Sequence, residues 1–220
     1  MNMQVTKNRF LNRKGFGIHS PWAYDLITNV IEEKLPYYAY DDLYEYWEKA
    51  PDFLPQYDEN VDQMLFRLVN ALHPRLILEI GTGAGVSTGY LAAVSGKIPC
   101  ITLDAPHPAT SQVKGNLGTF PNIEYRSGNV PAMLEAFTGE GHSIDFVHLA
   151  HTAFFREAVD ILLPSLNDQS VIVVEGIRGS NRKNWFETLA ASDKTGVVIT
   201  KGSVGMLFFD KKMYKQSYRL

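Results

Sequence analysis

From Arg75 to Phe209 the chain alternates short aliphatic, β-branched runs with segments of helical periodicity, and this alternation constrains the fold more than any other feature. Runs such as Leu76-Ile77-Leu78 and Val171-Ile172-Val173-Val174 carry no polar alternation, as expected of parallel strands covered on both faces by helices. Strands are predicted at 76–80, 98–103, 123–126, 144–149, 171–175, 197–200 and 204–209, with helices between them at 86–95, 108–117, 130–137, 152–163 and 180–191. Such a series predicts a doubly wound α/β sheet of seven mostly parallel strands with helices on both faces. Only Lys201, Gly202 and Ser203 separate the last two strands, too few for a parallel crossover, so the last strand is expected to run antiparallel.

Residues 1–73 read as a helical N-terminal extension of the α/β core at 74–220, and 220 residues suit one domain. Ser20 before Pro21 has the character of an N-cap and a first-turn proline, and Ala23, Ile27, Val30 and Ile31 follow at helical spacing. A second helix is predicted over 60–72, and the aromatic cluster from Tyr37 to Trp47 reads as packing for this extension. A net charge of −3 offers no basic field for a phosphate backbone, which disfavours nucleic acid and favours a small molecule as partner. Cys100 is the single cysteine, so neither an intramolecular disulfide nor a cysteine zinc site can form. No run reaches 18 apolar residues and the first 20 residues lack an apolar signal core; a cytoplasmic protein without membrane attachment is expected. The oligomeric state stays open, a homodimer among the options.

The segment Glu79-Ile80-Gly81-Thr82-Gly83-Ala84-Gly85 lies at the carboxyl end of the first strand of the core, where open α/β sheets bind ligands. Glycines there permit positive φ and close approach of a ligand to the backbone. A dinucleotide fingerprint would place glycine or alanine at 86, where this chain has Val86, and no Gly-Lys-Ser/Thr follows for a phosphate loop.

This segment resembles motif I of the class I S-adenosylmethionine-dependent methyltransferases, and the order of elements from Arg75 to Phe209 is similar to their Rossmann-like sheet. Within that superfamily, Gly81 to Tyr90 is most similar to the small-molecule O-methyltransferases of the catechol and caffeoyl-CoA type. The stretch Gly15-Phe16-Gly17-Ile18-His19-Ser20-Pro21 resembles bacterial methyltransferases known by fold alone, which names no substrate. The resemblance implies S-adenosylmethionine as cofactor, held by Glu79, Gly81, Thr82, Gly83, Gly85, Ser87, Asp104, Asn129 and His148. Asp104, ending the second strand, would accept the ribose hydroxyls, since a carboxylate can take both hydrogen bonds of a diol. Ser87, at a helix N-terminus, would lie near the methionine carboxylate, and Asn129 near the adenine.

The catechol type binds magnesium through oxygen ligands after strands four and five. Ala150 and Gly176 stand at two of these positions, Ala153 stands where those enzymes carry a lysine, and only Glu175 keeps a carboxylate; transfer without a divalent metal is expected. His151 is the candidate base, because an imidazole can take a hydroxyl proton near neutral pH. His148, His151 and Glu175 could also be read as a zinc trio, although the two histidines lack the i, i+4 spacing of a helical site, and Arg178 could anchor an anion. The reading is therefore methyl transfer to a small molecule, at oxygen. Its rivals are a non-catalytic cofactor-binding module of the same fold and a nicotinamide-dependent oxidoreductase.

Overall fold

The computed structural model describes residues 12–48 and 58–220. Ser20 Oγ accepts the Ala23 N–H at 3.3 Å and Pro21 fills the first turn, starting α1 (Pro21–Leu26), which runs on as a π-helical turn over Ile27–Ile31. Two further helices, α2 (Tyr38–Glu48) and α3 (Glu59–Leu72, capped by Asp58), complete the extension. The aromatic cluster packs as expected: Tyr37 and Tyr40 meet Phe66 of α3 edge-on, and the Tyr40 hydroxyl accepts from Arg67. Tyr38 is nevertheless exposed, and the Trp47 side chain lies outside the described residues.

The core follows as β1 (Ile77–Ile80), α4 (Val86–Ala93), β2 (Cys100–Asp104), α5 (Thr110–Leu117), β3 (Ile123–Ser127), α6 (Val130–Gly139), β4 (Ile144–Leu149), α7 (Phe155–Leu162), β5 (Leu166–Val174), α8 (Ser180–Ala191), β6 (Val197–Lys201), β7 (Val204–Phe208) and β8 (Gln216–Arg219). The sheet order is β3-β2-β1-β4-β5-β7-β6-β8, and β7 is antiparallel to both of its neighbours. The sheet has eight strands rather than seven. β8 pairs parallel with β6, and its Gln-Ser-Tyr-Arg sequence, with only Tyr218 buried, carries no strand pattern that sequence periodicity could detect. β5 begins at Leu166, ahead of its apolar run, because the polar Asn167-Asp168-Gln169 segment continues the strand beside β4 across a register shift.

Alternation along the strands divides the core between two faces. Leu78, Leu103, Val147, Ile172 and Val174 pack under α6, α7 and α8 through Leu134, Phe137, Val159, Leu162 and Phe186. Ile77, Cys100, Phe146, Val173 and Met206 pack on the other face, under α1, α3 and α4 through Leu26, Leu65, Leu68 and Leu91. No helix among the described residues is long and apolar enough to cross a membrane.

Candidate active site

Two residues after Ile77, Cys100, Phe146 and Val173 comes a polar residue, so strand alternation aims Glu79, Thr102, His148 and Glu175 at the same side, beneath α3 and α4. Register aligns the first three in a row across β2, β1 and β4, with Glu79 opposite both Thr102 and His148. The row is closed by hydrogen bonds. His148 Nδ1 lies 3.0 Å from Glu79 Oε1 and Nε2 lies 2.9 Å from Glu175 Oε1, while Ser87 donates to Glu79 Oε1 at 2.7 Å and Thr102 to Glu79 Oε2 at 2.7 Å. Thr88 also donates to Glu79 Oε2, and the Thr82 and Thr102 hydroxyls are 2.6 Å apart.

Glu79, His148, Thr82, Ser87, Thr88 and Thr102 are all buried. Burial disfavours the His148 imidazolium, but hydrogen bonds to Glu175 and Glu79, with the charges of both, outweigh it and carry the pKa up to about 10. Burial likewise works against the Glu175 carboxylate, and His148 and His151 overcome it, holding the pKa at about 2. Asp62 of α3 faces this group with no exposure, and neither carboxyl oxygen has a hydrogen-bond partner among the described residues. Its burial, reinforced by the charge of Glu175, pushes its pKa well above the carboxylate range, which favours the neutral acid.

The glycine loop sits over the end of this row. Gly81, Gly83 and Gly85 all have positive φ (97°, 54° and 83°), and a Cβ on Gly81 would come within 3.1 Å of Thr152 Cβ and 3.5 Å of Ala150 Cβ. The Gly83 N–H donates to Asp104 Oδ2 at 2.9 Å, Asp104 Oδ1 accepts from Ala105 N–H, and the Asp104 side chain stays 17% exposed. Burial raises the Asp104 pKa, against the opposing effect of the Gly83 N–H. A carboxylate has acceptor sites to spare after two hydrogen bonds, so Asp104 can still take a diol.

His151 follows β4 and is the partly exposed member of the assembly: its side chain is 47% accessible, and Nε2 lies 3.3 Å from Glu175 Oε2. Gly176, at φ 69°, leaves room for the ring, since a Cβ there would lie 3.3 Å from His151 Nδ1. Arg182 of α8, which sequence reasoning missed, binds the loops after β4 and β5 together. Its guanidinium donates to the carbonyls of Ala150 (2.8 Å), Glu175 (2.7 Å) and Thr152, and stacks 4.7 Å from the Phe155 ring centre. Nothing in a basic residue near a helix start distinguishes it in sequence from a solvated one.

No protein-family model and no curated protein matches the sequence. Solved structures do. An O-methyltransferase from Bacillus cereus in complex with S-adenosylhomocysteine superposes with a TM-score of 0.59 at 21% identity, over 84% of this chain and 96% of that one. A Podospora anserina methyltransferase bound to the same molecule gives 0.64 at 15% identity, over 86% and 96%. An O-methyltransferase from Streptomyces achromogenes involved in tomaymycin synthesis, in complex with S-adenosylmethionine, gives 0.60 at 18% identity, over 85% and 96%. The chain has the class I methyltransferase fold.

Within this methyltransferase fold the residues singled out by sequence fall in different places. Gly81, Gly83, Gly85 and Asp104 line the loop at the carboxyl ends of β1 and β2, with Ala150 and Gly176 at the ends of β4 and β5 beside it. Glu79, Thr82, Ser87 and His148 instead point inward, Ser87 and His148 bonding to Glu79 and Thr82 to Thr102. Asn129 caps α6, its Oδ1 accepting the Ala132 N–H at 3.0 Å. His148, His151 and Glu175 do meet, but as a chain with the carboxylate between the two rings; among the described residues no group of three such side chains is arranged to hold a metal ion. Arg178 is exposed.

Proposed function

We propose that the chain transfers a methyl group from S-adenosylmethionine to a hydroxyl of a small molecule, with His151 as general base and without a divalent metal. The observation that carries this reading is the loop of three positive-φ glycines beside Asp104, in a fold shared with O-methyltransferases solved with S-adenosylmethionine or S-adenosylhomocysteine. Asp104 accepts the ribose hydroxyls, and the glycine loop lets the backbone approach the ligand where a side chain would intrude. The N-terminus of α4, which no side chain caps, would hold the methionine carboxylate. When bound, the sulfonium supplies the methyl carbon, which bonds to the acceptor oxygen as the carbon–sulfur pair returns to sulfur. His151 takes the hydroxyl proton, and loops held by Arg182 keep it beside Glu175.

Calorimetric titration with S-adenosylhomocysteine, S-adenosylmethionine and NAD tests the cofactor. The first two are expected to bind, and Asp104→Ala to weaken them roughly 5- to 100-fold, as for buried hydrogen bonds left unmade. Tight NAD binding with no response to S-adenosylhomocysteine would sink the reading. Release of S-adenosylhomocysteine in the presence of a panel of phenols and hydroxy acids is expected to persist in EDTA. Loss of turnover on chelation and recovery with magnesium would reinstate a metal mechanism.

A further inference from the structure

The buried row beneath the glycine loop does not end inside the protein; it emerges at His151. Glu175 is the joint. One of its oxygens meets His148 Nε2 at 2.9 Å and the other meets His151 Nε2 at 3.3 Å, while its side chain is only 5% exposed. His148 is itself anchored on its far side by Glu79, whose two oxygens accept from Ser87, Thr88 and Thr102.

We infer that Glu175 is a positioning residue for His151, holding the imidazole with its proton on Nε2 and its lone pair on Nδ1, and that the His148–Glu79 pair keeps Glu175 as an acceptor. The chemistry of the partners requires this direction. A carboxylate is acceptor-only when ionised, so a ring nitrogen facing it must carry the hydrogen. In a neutral imidazole the other nitrogen then holds the lone pair, and here that nitrogen is Nδ1, on the edge of the ring beside Gly176.

A carboxylate buried this deeply would by itself tend to take up a proton and then could donate to His151, reversing the arrangement. His148 prevents that reversal: with a carboxylate at each ring nitrogen it donates through both, which is the pattern of an imidazolium. Asp62, facing the row from α3, favours its neutral form and adds no competing charge, and the Arg182 guanidinium holds the Glu175 carbonyl on the other side. The proton leaving the acceptor hydroxyl would enter at Nδ1, and the imidazolium so formed would keep its Nε2–H directed at Glu175.

This inference rests on His151 as the base of the proposed reaction, but its test needs neither cofactor nor acceptor. Ring-nitrogen correlations in the uniformly 15N-labelled full chain, recorded at a pH where the His151 ring is neutral, report its tautomer. The expected result is a single Nε2–H form in the wild type and loss of that preference in Glu175→Gln, whose amide can donate to Nε2 and drive the hydrogen to Nδ1. A wild-type ring protonated on Nδ1, or a tautomer unchanged by Glu175→Gln, would overturn the inference. Should that variant fail to fold, the wild-type spectrum decides: an exchange-protected Nε2–H supports the arrangement, and an even mixture of tautomers refutes it. Failure of the cofactor titrations would instead strike the methyl-transfer reading and leave the tautomer result standing.

Discussion

His148→Leu is expected to cost the fold about 3–5 kcal/mol, the range for removing one partner of a buried ion pair and leaving the others uncompensated. Leucine fills most of the ring's volume, so the loss comes from the two carboxylates, Glu79 and Glu175, left facing each other's charge across an apolar gap. Against a total stability of roughly 5–15 kcal/mol this is a large fraction, and the melting temperature is expected to fall by on the order of 10 °C. The pH dependence identifies the cause. His148 has a folded pKa of about 10 against an ordinary 6.5, so its contribution is complete below about 6.5 and is lost as pH rises through about 10. Glu175, held at about 2 against 4.5, contributes fully above about 4.5 and loses its share as pH falls through about 2. Asp62, raised by burial, has the sign of His148: its contribution is complete below about 3.8 and is lost as pH rises through its higher folded pKa. Urea unfolding of the wild type should therefore weaken between pH 6.5 and 10, and His148→Leu should flatten that limb. A variant as stable as the wild type, with the same alkaline slope, would show that the row carries no charge. Replacing Glu79 and Glu175 with Gln in the same chain should recover part of the loss, since a neutral row has no unpaired charge to bury.

The residues of this row explain how far the sequence could be read. The strands and the glycine loop were legible because each rests on local chemistry: unbroken aliphatic runs for buried parallel strands, and glycines where the backbone takes positive φ. The position of Asp104, though not its role, was legible because it ends a strand. The row was not, because it depends on register: Glu79 meets His148 only because β1 and β4, far apart in the chain, pair with those residues opposite each other. Once the strands are paired, alternation places all four polar residues on one face, but neither the pairing nor the partners can be read from 3.6- or 2-residue periods. Asp62 shows a related limit. In sequence it is an acidic residue in the first turn of α3, an ordinary exposed role, and only the packing of α3 over the sheet makes it fully buried. Asn129 and Ser87 show the converse: residues assigned to a ligand by resemblance also have complete intramolecular roles, one as a helix cap and the other as a donor to Glu79.

Gly83→Val is expected to abolish binding of S-adenosylhomocysteine while leaving the fold intact. At φ 54° Gly83 sits in the left-handed region, where a β-branched residue is a genuine outlier and strain is roughly 1–2 kcal/mol. The chain can relieve that strain by rotating the adjoining peptide, which turns the Gly83 N–H away from Asp104 Oδ2. One substitution thus disturbs both the loop and the carboxylate proposed to hold the ribose, and adds a branched side chain where the ligand approaches. Gly83 is half-buried and lies in a turn outside β1 and α4, so the circular dichroism spectrum should match the wild type. Gly81 is a poorer site for this test. Its φ of 97° lies further from any conformation open to side chains, and a Cβ there would press on Thr152 and Ala150, so Gly81→Val would strain the packing between β1 and β4 as well as the site. Calorimetry on folded Gly83→Val should show no heat of binding with S-adenosylhomocysteine at concentrations that saturate the wild type. Unchanged affinity would reduce the glycine loop to a strand-to-helix turn, and with it would go the observation on which the proposed function rests.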